Sequence, residues 1–189
     1  EVKKIKAIGL ETNKQSVKEG GKFLNKNKLY HSKFGDNSIF KKHANDYNTL
    51  ALMGVLEHID PKNLLKDFKS SKLKYLYIAV PALSLSVFLE NVFPKVFPRV
   101  LSNGHTHLYT EKSLNYFAKK NNLKIIGEWW FGTDIPDLFR SLLVSANTVD
   151  KKVYTDEINK IFKNTIDQLQ VVLDKNKTCS EIHMIFKKK

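Results

Sequence analysis

The sequence has little cysteine, little arginine and no long uninterrupted apolar segment. Its single cysteine, Cys179, excludes a disulfide framework and a cysteine-based zinc site. The most apolar window, YLYIAVPALSLSVFLENVF, is interrupted by Pro81 and Glu90, so it lacks the ~20 continuous apolar residues of a membrane-spanning helix. No signal peptide pattern is present. The 189 residues, 42% of them apolar, therefore predict one cytoplasmic globular domain with a sizeable core.

Positive charge is abundant, but lysine carries nearly all of it. The formal net charge is +13, and Arg99 and Arg140 are the only arginines. Arginine is better suited than lysine to bidentate contacts with phosphate and guanine, and the lysines are scattered along the chain. A solvated lysine-rich surface is favoured, which argues against nucleic acid as a partner. A genuine anionic partner remains the alternative.

The apolar pattern predicts strands that alternate with helices. Strands are predicted over 3–11, 29–32, 47–56, 73–80, 123–131 and 181–188, and helices over 14–25, 38–44, 61–70, 111–122, 134–147 and 155–175. This order indicates an α/β fold with a Rossmann-like, doubly wound and mostly parallel sheet. Extra C-terminal helices, 134–176, form an insertion before the last strand. The aromatic-rich segment 82–104 shows no clear period and is interpreted as a lid, an insertion, or a surface for another segment or a membrane.

Polar side chains follow three of the predicted strands. They are Glu11-Thr12-Asn13, Gly35-Asp36-Asn37 and Glu57-His58. In open α/β sheets, ligands bind beyond the carboxyl ends of the strands. We therefore expect these groups to gather at one edge of the sheet and to form a ligand site there.

Four segments also occur in an order found in a known family. They are AIGLETNKQSVKEG, NDYNTLALMGVLEHID, YLYIAVP and HTHLYTEKSLNYFAKKNNLKIIGEWWFGTDIPDL. They resemble, in turn, the second strand with its acid, the fourth-strand motif ending in Leu-Glu-His, the fifth strand, and the His-preceded helix with the sixth strand of class I S-adenosylmethionine-dependent methyltransferases. The likeness spans about residues 1–139, and 181–188 fits the seventh strand. It implies methyl transfer from S-adenosylmethionine to a small-molecule substrate.

The family's first strand and glycine-rich loop have no counterpart, and no Gly-x-Gly occurs in the sequence. We expect an N-terminally truncated methyltransferase domain, or a degenerate relative. Its incomplete sheet would need the missing N-terminal segment or another subunit as partner. Two rival functions remain: a non-catalytic basic module that binds nucleic acid or an anionic surface, and a different nucleotide-binding α/β enzyme.

The resemblance places cofactor-binding residues at three strand ends. They are Glu11, Thr12 and Asn13; Gly35, Asp36 and Asn37; and Met53, Gly54 and Val55. The Glu11 carboxylate would accept both ribose hydroxyls, or would simply be a surface acid. Asp36 would receive the adenine amino group, or Gly-Asp-Asn would be a plain turn. The backbone after Met53 would follow the methionine end of the cofactor.

Two histidines are the predicted catalytic residues. His58 would contact the substrate or accept a proton, or it would cap its own helix start or bond backbone; Glu57 is interpreted as structural. His105, two positions from His107 on the same face of an extended chain, would face the substrate. No metal site is predicted, because a metal needs at least a third ligand and no acid is obviously placed to supply it.

Overall fold

The computed structural model describes residues 6–23, 28–33, 36–101, 104–147 and 152–189, and the side chains of 152–154 are left out of this description. The chain divides into two compact units. The first unit is Glu1–Leu50 with Pro61–Tyr75, and the second unit is Ala51–Asp60 with Leu76–Lys189.

The first unit contains a parallel two-stranded sheet. Its elements are β1 (Gly9–Glu11), α1 (Lys14–Phe23), β2 (Leu29–His31), α2 (Ser38–His43) and α3 (Lys62–Ser70). β1 pairs with β2 in parallel, so that Glu11 lies opposite His31. A Cβ atom on Gly9 or on Gly20 would come within 2.8 or 2.7 Å of the Leu29 side chain. These two glycines therefore permit the close approach of β1 and α1 to β2, and Gly20 has a packing role that offsets its low helix propensity.

The second unit contains the four-stranded sheet, in the order β3-β4-β6-β5. Its elements are β3 (Thr49–Met53, which begins at the end of the first unit), β4 (Tyr75–Pro81), α4 (Leu85–Val92), α5 (Glu111–Lys120), β5 (Leu123–Phe131), α6 (Asp134–Asn147), α7 (Lys152–Phe162), α8 (Ile166–Lys175) and β6 (Glu181–Lys188). β5 and β6 are antiparallel, and Phe131 pairs with Glu181 at one end. The predicted α/β class is confirmed, with the strands divided between two sheets.

The core of the second unit follows the alternation of its strands. Ile182, Met184 and Phe186 of β6 are at most 1% exposed and lie on one face, because successive strand residues point to opposite faces. Burying each such side chain stabilises the fold by roughly 1.5–3 kcal/mol. Of the aromatic residues in β5, Trp130 is buried, whereas Trp129 is 64% exposed.

Several element boundaries differ from the sequence predictions. β3 ends at Met53, not at residue 56, and it exposes Ala51 and Met53, so it is not covered on both faces. The helix after Asp60 begins at Lys62, with Pro61 at the cap position. The predicted helix over 155–175 is interrupted by a turn at residues 163–165. The apolar period continues across this turn, so the pattern does not reveal it. The segment 82–104 contains the helix α4, which sequence periodicity missed.

Among the described residues, the helices are too short or too polar to cross a lipid bilayer.

Candidate functional site

A turn and a short 3₁₀ helix after β3 present two polar side chains. The chain turns at Gly54, whose φ of 63° lies in the left-handed region that side chains with a Cβ rarely adopt. The 3₁₀ helix Leu56–His58 follows, and Leu56 is completely buried. The burial of Leu56 anchors this helix, so Glu57 and His58 extend from a fixed piece of backbone.

Hydrogen bonds tie the segment after Gly104 to this 3₁₀ helix. The backbone N and Oγ1 of Thr106 both donate to the carbonyl oxygen of Glu57, at 2.9 and 2.8 Å. The hydroxyl of Tyr109 donates to the carbonyl oxygen of Leu56 at 3.1 Å. His105 is thereby held beside His58, with 4.8 Å between the ring centroids.

Glu57, His58 and His105 form a cluster of three potential ligands. One nitrogen or oxygen of each residue lies within 4.8 Å of the others. Glu57 is only 3% exposed, and its Oε2 has no hydrogen-bond partner among the described residues; the buried Nδ1 of His105 has none there either. His58 Nδ1 lies 3.1 Å from the carbonyl oxygen of Gly104. Because a carbonyl only accepts, this nitrogen carries the proton, and Nε2 of the neutral ring carries the lone pair.

The negative charge of Glu57 changes the protonation of its surroundings. Burial, and then the charge of Glu57, raise the pKa of Glu181 to about 7. The same two causes raise the pKa of Tyr109 to about 12. His183, whose Nε2 lies 3.3 Å from Glu181 Oε1, has its pKa lowered by burial. Glu181 and Tyr109 therefore retain their protons more readily than usual, whereas His183 loses its proton more readily.

A cavity of about 330 Å³ opens beside His105. Its wall includes Phe131 and Glu181 from the paired ends of β5 and β6. It also includes Arg99, whose Nη1 lies 2.8 Å from Oδ1 of the buried Asp137. A cavity of this size suits a small molecule, with the His105 imidazole and the Glu181 carboxyl as its polar contacts. Sequence patterns did not single out Glu181 or the Arg99–Asp137 pair.

The histidines pair differently from the sequence expectation. His107 Nδ1 bonds Oγ1 of Thr106 at 2.7 Å, and its ring stacks on Tyr109 with 6.4 Å between centroids. His105 instead contacts His58. The acid that lies near His58 and His105 is Glu57. The sequence indicated only a structural role for it.

Glu11 lies at the carboxyl end of β1, in the first unit. Its Oε1 accepts a hydrogen bond from the backbone N of Asn13 at 2.8 Å and from Thr12 Oγ1 at 3.4 Å. Its Oε2 has no hydrogen-bond partner in the described part of the chain. Asn13 Oδ1 accepts from the backbone N of Gln15 and of Ser16, so Asn13 caps α1. The carboxylate of Glu11 keeps capacity to accept further hydrogen bonds.

Two members of the second predicted group, also in the first unit, are engaged in hydrogen bonds. Oδ1 of Asp36 accepts from the backbone N of Ser38 at 2.8 Å, and this bond lowers the pKa of Asp36. Nδ2 of Asn37 donates to Oδ2 of Asp67 at 3.0 Å. Gly35 lies outside the described residues. A plain turn and a role toward adenine both remain predictions for this group.

The third predicted group follows β3 in the second unit. Met53 is 66% exposed at the strand end. The backbone N of Gly54 donates to the carbonyl oxygen of Ala79 at 3.2 Å, which joins this turn to β4. Val55 precedes the 3₁₀ helix and is partly exposed. The backbone of this turn is therefore accessible to a ligand.

Comparisons with known proteins identify the fold. No family model matches the sequence, and no curated protein matches it. Among solved structures, the chain is similar to the small RNA methyltransferase HEN1, with a TM-score of 0.54 and 14% identity over 96% of this chain and 20% of that one. It is also similar to magnesium protoporphyrin IX methyltransferase from Synechocystis PCC 6803, solved with bound SAH, with a TM-score of 0.51 and 9% identity over 96% of this chain and 64% of that one.

The names of these two neighbours give different methyl acceptors. This chain spans less than two thirds of the length of each neighbour. What they share with it is the arrangement of strands and helices. The chain has the fold of the class I S-adenosylmethionine-dependent methyltransferases.

Proposed function

We propose that this chain takes part in methyl transfer from S-adenosylmethionine to a small-molecule acceptor. The observation that carries the proposal is the class I methyltransferase fold, with an acid that can accept further hydrogen bonds at the end of a parallel strand. When bound, S-adenosylmethionine supplies an electrophilic methyl group on a sulfonium. The protein needs to position the two reactants and exclude water, which are its main contributions to such a reaction.

Glu11 is the proposed ribose ligand. A ribose presents two neighbouring hydroxyl donors, and a carboxylate has acceptor sites for both. Thr12 and Asn13 keep Glu11 Oε1 in place through their hydrogen bonds. The proposed adenine contacts are Gly35, Asp36 and Asn37, and the backbone of Met53, Gly54 and Val55 is proposed to follow the methionine end.

The cavity beside His105 is the proposed acceptor site. Its volume of about 330 Å³ fits a small molecule. His105 lines it, and the lone pair on His58 Nε2 can accept a proton from an acidic acceptor group. Since methyl transfer asks for little covalent chemistry from the protein, orienting the acceptor is the larger role of these two histidines.

The proposal includes a segment from outside this sequence. Class I methyltransferases are expected to hold the cofactor partly with a glycine-rich loop, and no Gly-x-Gly occurs here. An upstream segment or another subunit is proposed to supply that loop. Adding such a segment should tighten cofactor binding, without changing the role of Glu11.

Calorimetric titration with S-adenosylhomocysteine tests the function. Glu11→Ala should weaken binding by about 1–3 kcal/mol, or about 5- to 150-fold, because it removes the acceptor of the ribose hydroxyls. Glu19→Ala, an equal change in the neighbouring helix α1, is the matched control and should bind as the parent chain does. Equal affinity in the parent and Glu11→Ala chains would contradict the ribose assignment. Tighter binding of a nicotinamide nucleotide would contradict methyl transfer itself.

Acceptor class is tested separately with radiolabelled S-adenosylmethionine. Incorporation of the label into a pool of small metabolites supports the proposal. Incorporation into RNA alone would overturn the small-molecule acceptor but would leave methyl transfer intact.

A further inference from the structure

We propose that Glu57, His58 and His105 bind one divalent transition-metal cation. The site lies within the second unit, where the 3₁₀ helix after β3 meets the segment after Gly104. The inference does not depend on the proposed function, because it concerns these three side chains and can be tested without S-adenosylmethionine. A bound cation would take the lone pair of His58 Nε2, and would therefore replace the proton-accepting role proposed for that nitrogen.

The first argument is the convergence of three ligand atoms from two distant parts of the sequence. They lie within 4.8 Å of one another. Metal–nitrogen and metal–oxygen bonds of about 2.0–2.2 Å place ligand atoms roughly 3–3.5 Å apart. The three ligand atoms would therefore move closer together when a cation binds. The backbones are already held together by the two hydrogen bonds from Thr106 to Glu57.

The second argument is the unsatisfied hydrogen-bonding capacity of the same residues. Oε2 of Glu57 and Nδ1 of His105 are both buried, and neither has a hydrogen-bond partner in the parts of the chain described here. Burying a carboxylate without a partner costs several kcal/mol, so buried charges are normally paired or bound to metal. One cation between these residues would compensate both groups at once.

The third argument is the orientation of His58. Its Nδ1 donates to the carbonyl oxygen of Gly104, at 3.1 Å. A metal-binding histidine characteristically donates its other ring N–H to a carbonyl or carboxylate, which fixes the tautomer and the ring. The Nε2 lone pair of His58 is thus prepared to bind a cation.

The ligand set selects the class of metal. Two imidazole nitrogens and one carboxylate suit zinc, manganese, iron or cobalt, whereas calcium and magnesium prefer oxygen ligands. Three protein ligands leave at least one coordination position for water or a bound molecule. Since His105 also lines the cavity of about 330 Å³, that position would be reached from the cavity.

The test is calorimetric titration of the full chain with ZnCl₂ and with MnCl₂, after removal of metal by EDTA and dialysis. One cation per chain should bind. His58→Ala, His105→Ala and Glu57→Gln should each weaken binding by at least about 100-fold, because each removes a direct ligand. His107→Ala is the matched control: it removes an exposed imidazole two positions from His105, and it should leave the affinity unchanged.

A second measurement separates ligand loss from misfolding. Each metal-free variant is examined by circular dichroism and thermal unfolding before titration, and the partly exposed His58 provides a variant that leaves the buried Glu57 in place. CoCl₂ added to the parent chain should give visible absorption bands that are absent in His58→Ala. No binding by the parent chain, or equal binding by the parent, His58→Ala and His105→Ala chains, would overturn the proposal.

Discussion

Burial, and then the charge of Glu57, raise the pKa of the Glu181 carboxyl from its ordinary 4.5 to about 7. Glu181 therefore holds a proton more tightly in the folded state than in the unfolded state. The free energy of unfolding should fall as the pH rises from about 4.5 to about 7, because the folded protein must then lose this proton or keep it at increasing cost. The effect should not exceed about 2 kcal/mol, because Glu181 is partly exposed and its interactions are screened.

Glu181→Gln should remove that loss. Urea unfolding in the presence of EDTA should show the variant to be more stable than the parent at pH 8, and similar to it near pH 4.5. Glu128→Gln is a control of opposite sign: the hydrogen bond from Lys177 lowers the pKa of Glu128, so this variant should be destabilised at pH 8. A constant difference between Glu181→Gln and the parent across this pH range would refute the assigned titration.

Gly132 permits a close approach between the end of β5 and the start of β6. A Cβ atom there would lie 2.5 Å from the backbone N of Ser180 and 2.7 Å from Oδ2 of Asp134. Gly132→Ala should lower the free energy of unfolding by about 1–3 kcal/mol, because backbone must move to relieve the overlap. In Gly127→Ala, the matched control, the nearest atom is 3.9 Å away. Urea unfolding that ranks the two variants equally would contradict this packing.

Thr110 begins α5 with a reciprocal pair of hydrogen bonds. Its Oγ1 accepts from the backbone N of Ser113, and its backbone N donates to Oγ of Ser113. Thr110→Ala should cost about 1 kcal/mol of stability. Thr165→Ala is the comparison, since Thr165 occupies the cap position of α8 without a side-chain capping bond. Thermal unfolding should show the larger loss in Thr110→Ala, and the reverse order would count against the capping box.

Cys179 should be unreactive in the folded protein. It is 1% exposed, and its pKa is raised to about 11, first by burial and then by the charge of Asp174. Only the thiolate reacts with disulfide reagents, so labelling at pH 8 should be slow and should accelerate in urea. The double variant Cys179→Ala with Lys160→Cys, which places the thiol at an exposed helix position, should react rapidly. Fast labelling of the parent chain would show that Cys179 is not buried.

Local pattern was sufficient for the elements that carry their own signals. β5, α6 and β6 have the predicted bounds, because alternation, a helical period and flanking polar residues are all present in the sequence itself. The break at 163–165 was not predictable from periodicity, since the apolar stripe continues through it. Similarly, the continuous apolar run of β3 does not reveal that Met53 is 66% exposed, because exposure depends on what packs against each face.

The sequence by itself determined the α/β class, the approximate positions of most elements and the polar groups at the strand ends, because these depend on residues close together in the chain. Only the tertiary structure decided which of those groups meet. His58 lies beside His105 and bonds the carbonyl oxygen of Gly104, and Glu57 offers the third potential ligand atom. Such contacts depend on hydrogen bonds between distant segments, such as the bond from Thr106 to Glu57, and no local pattern encodes them.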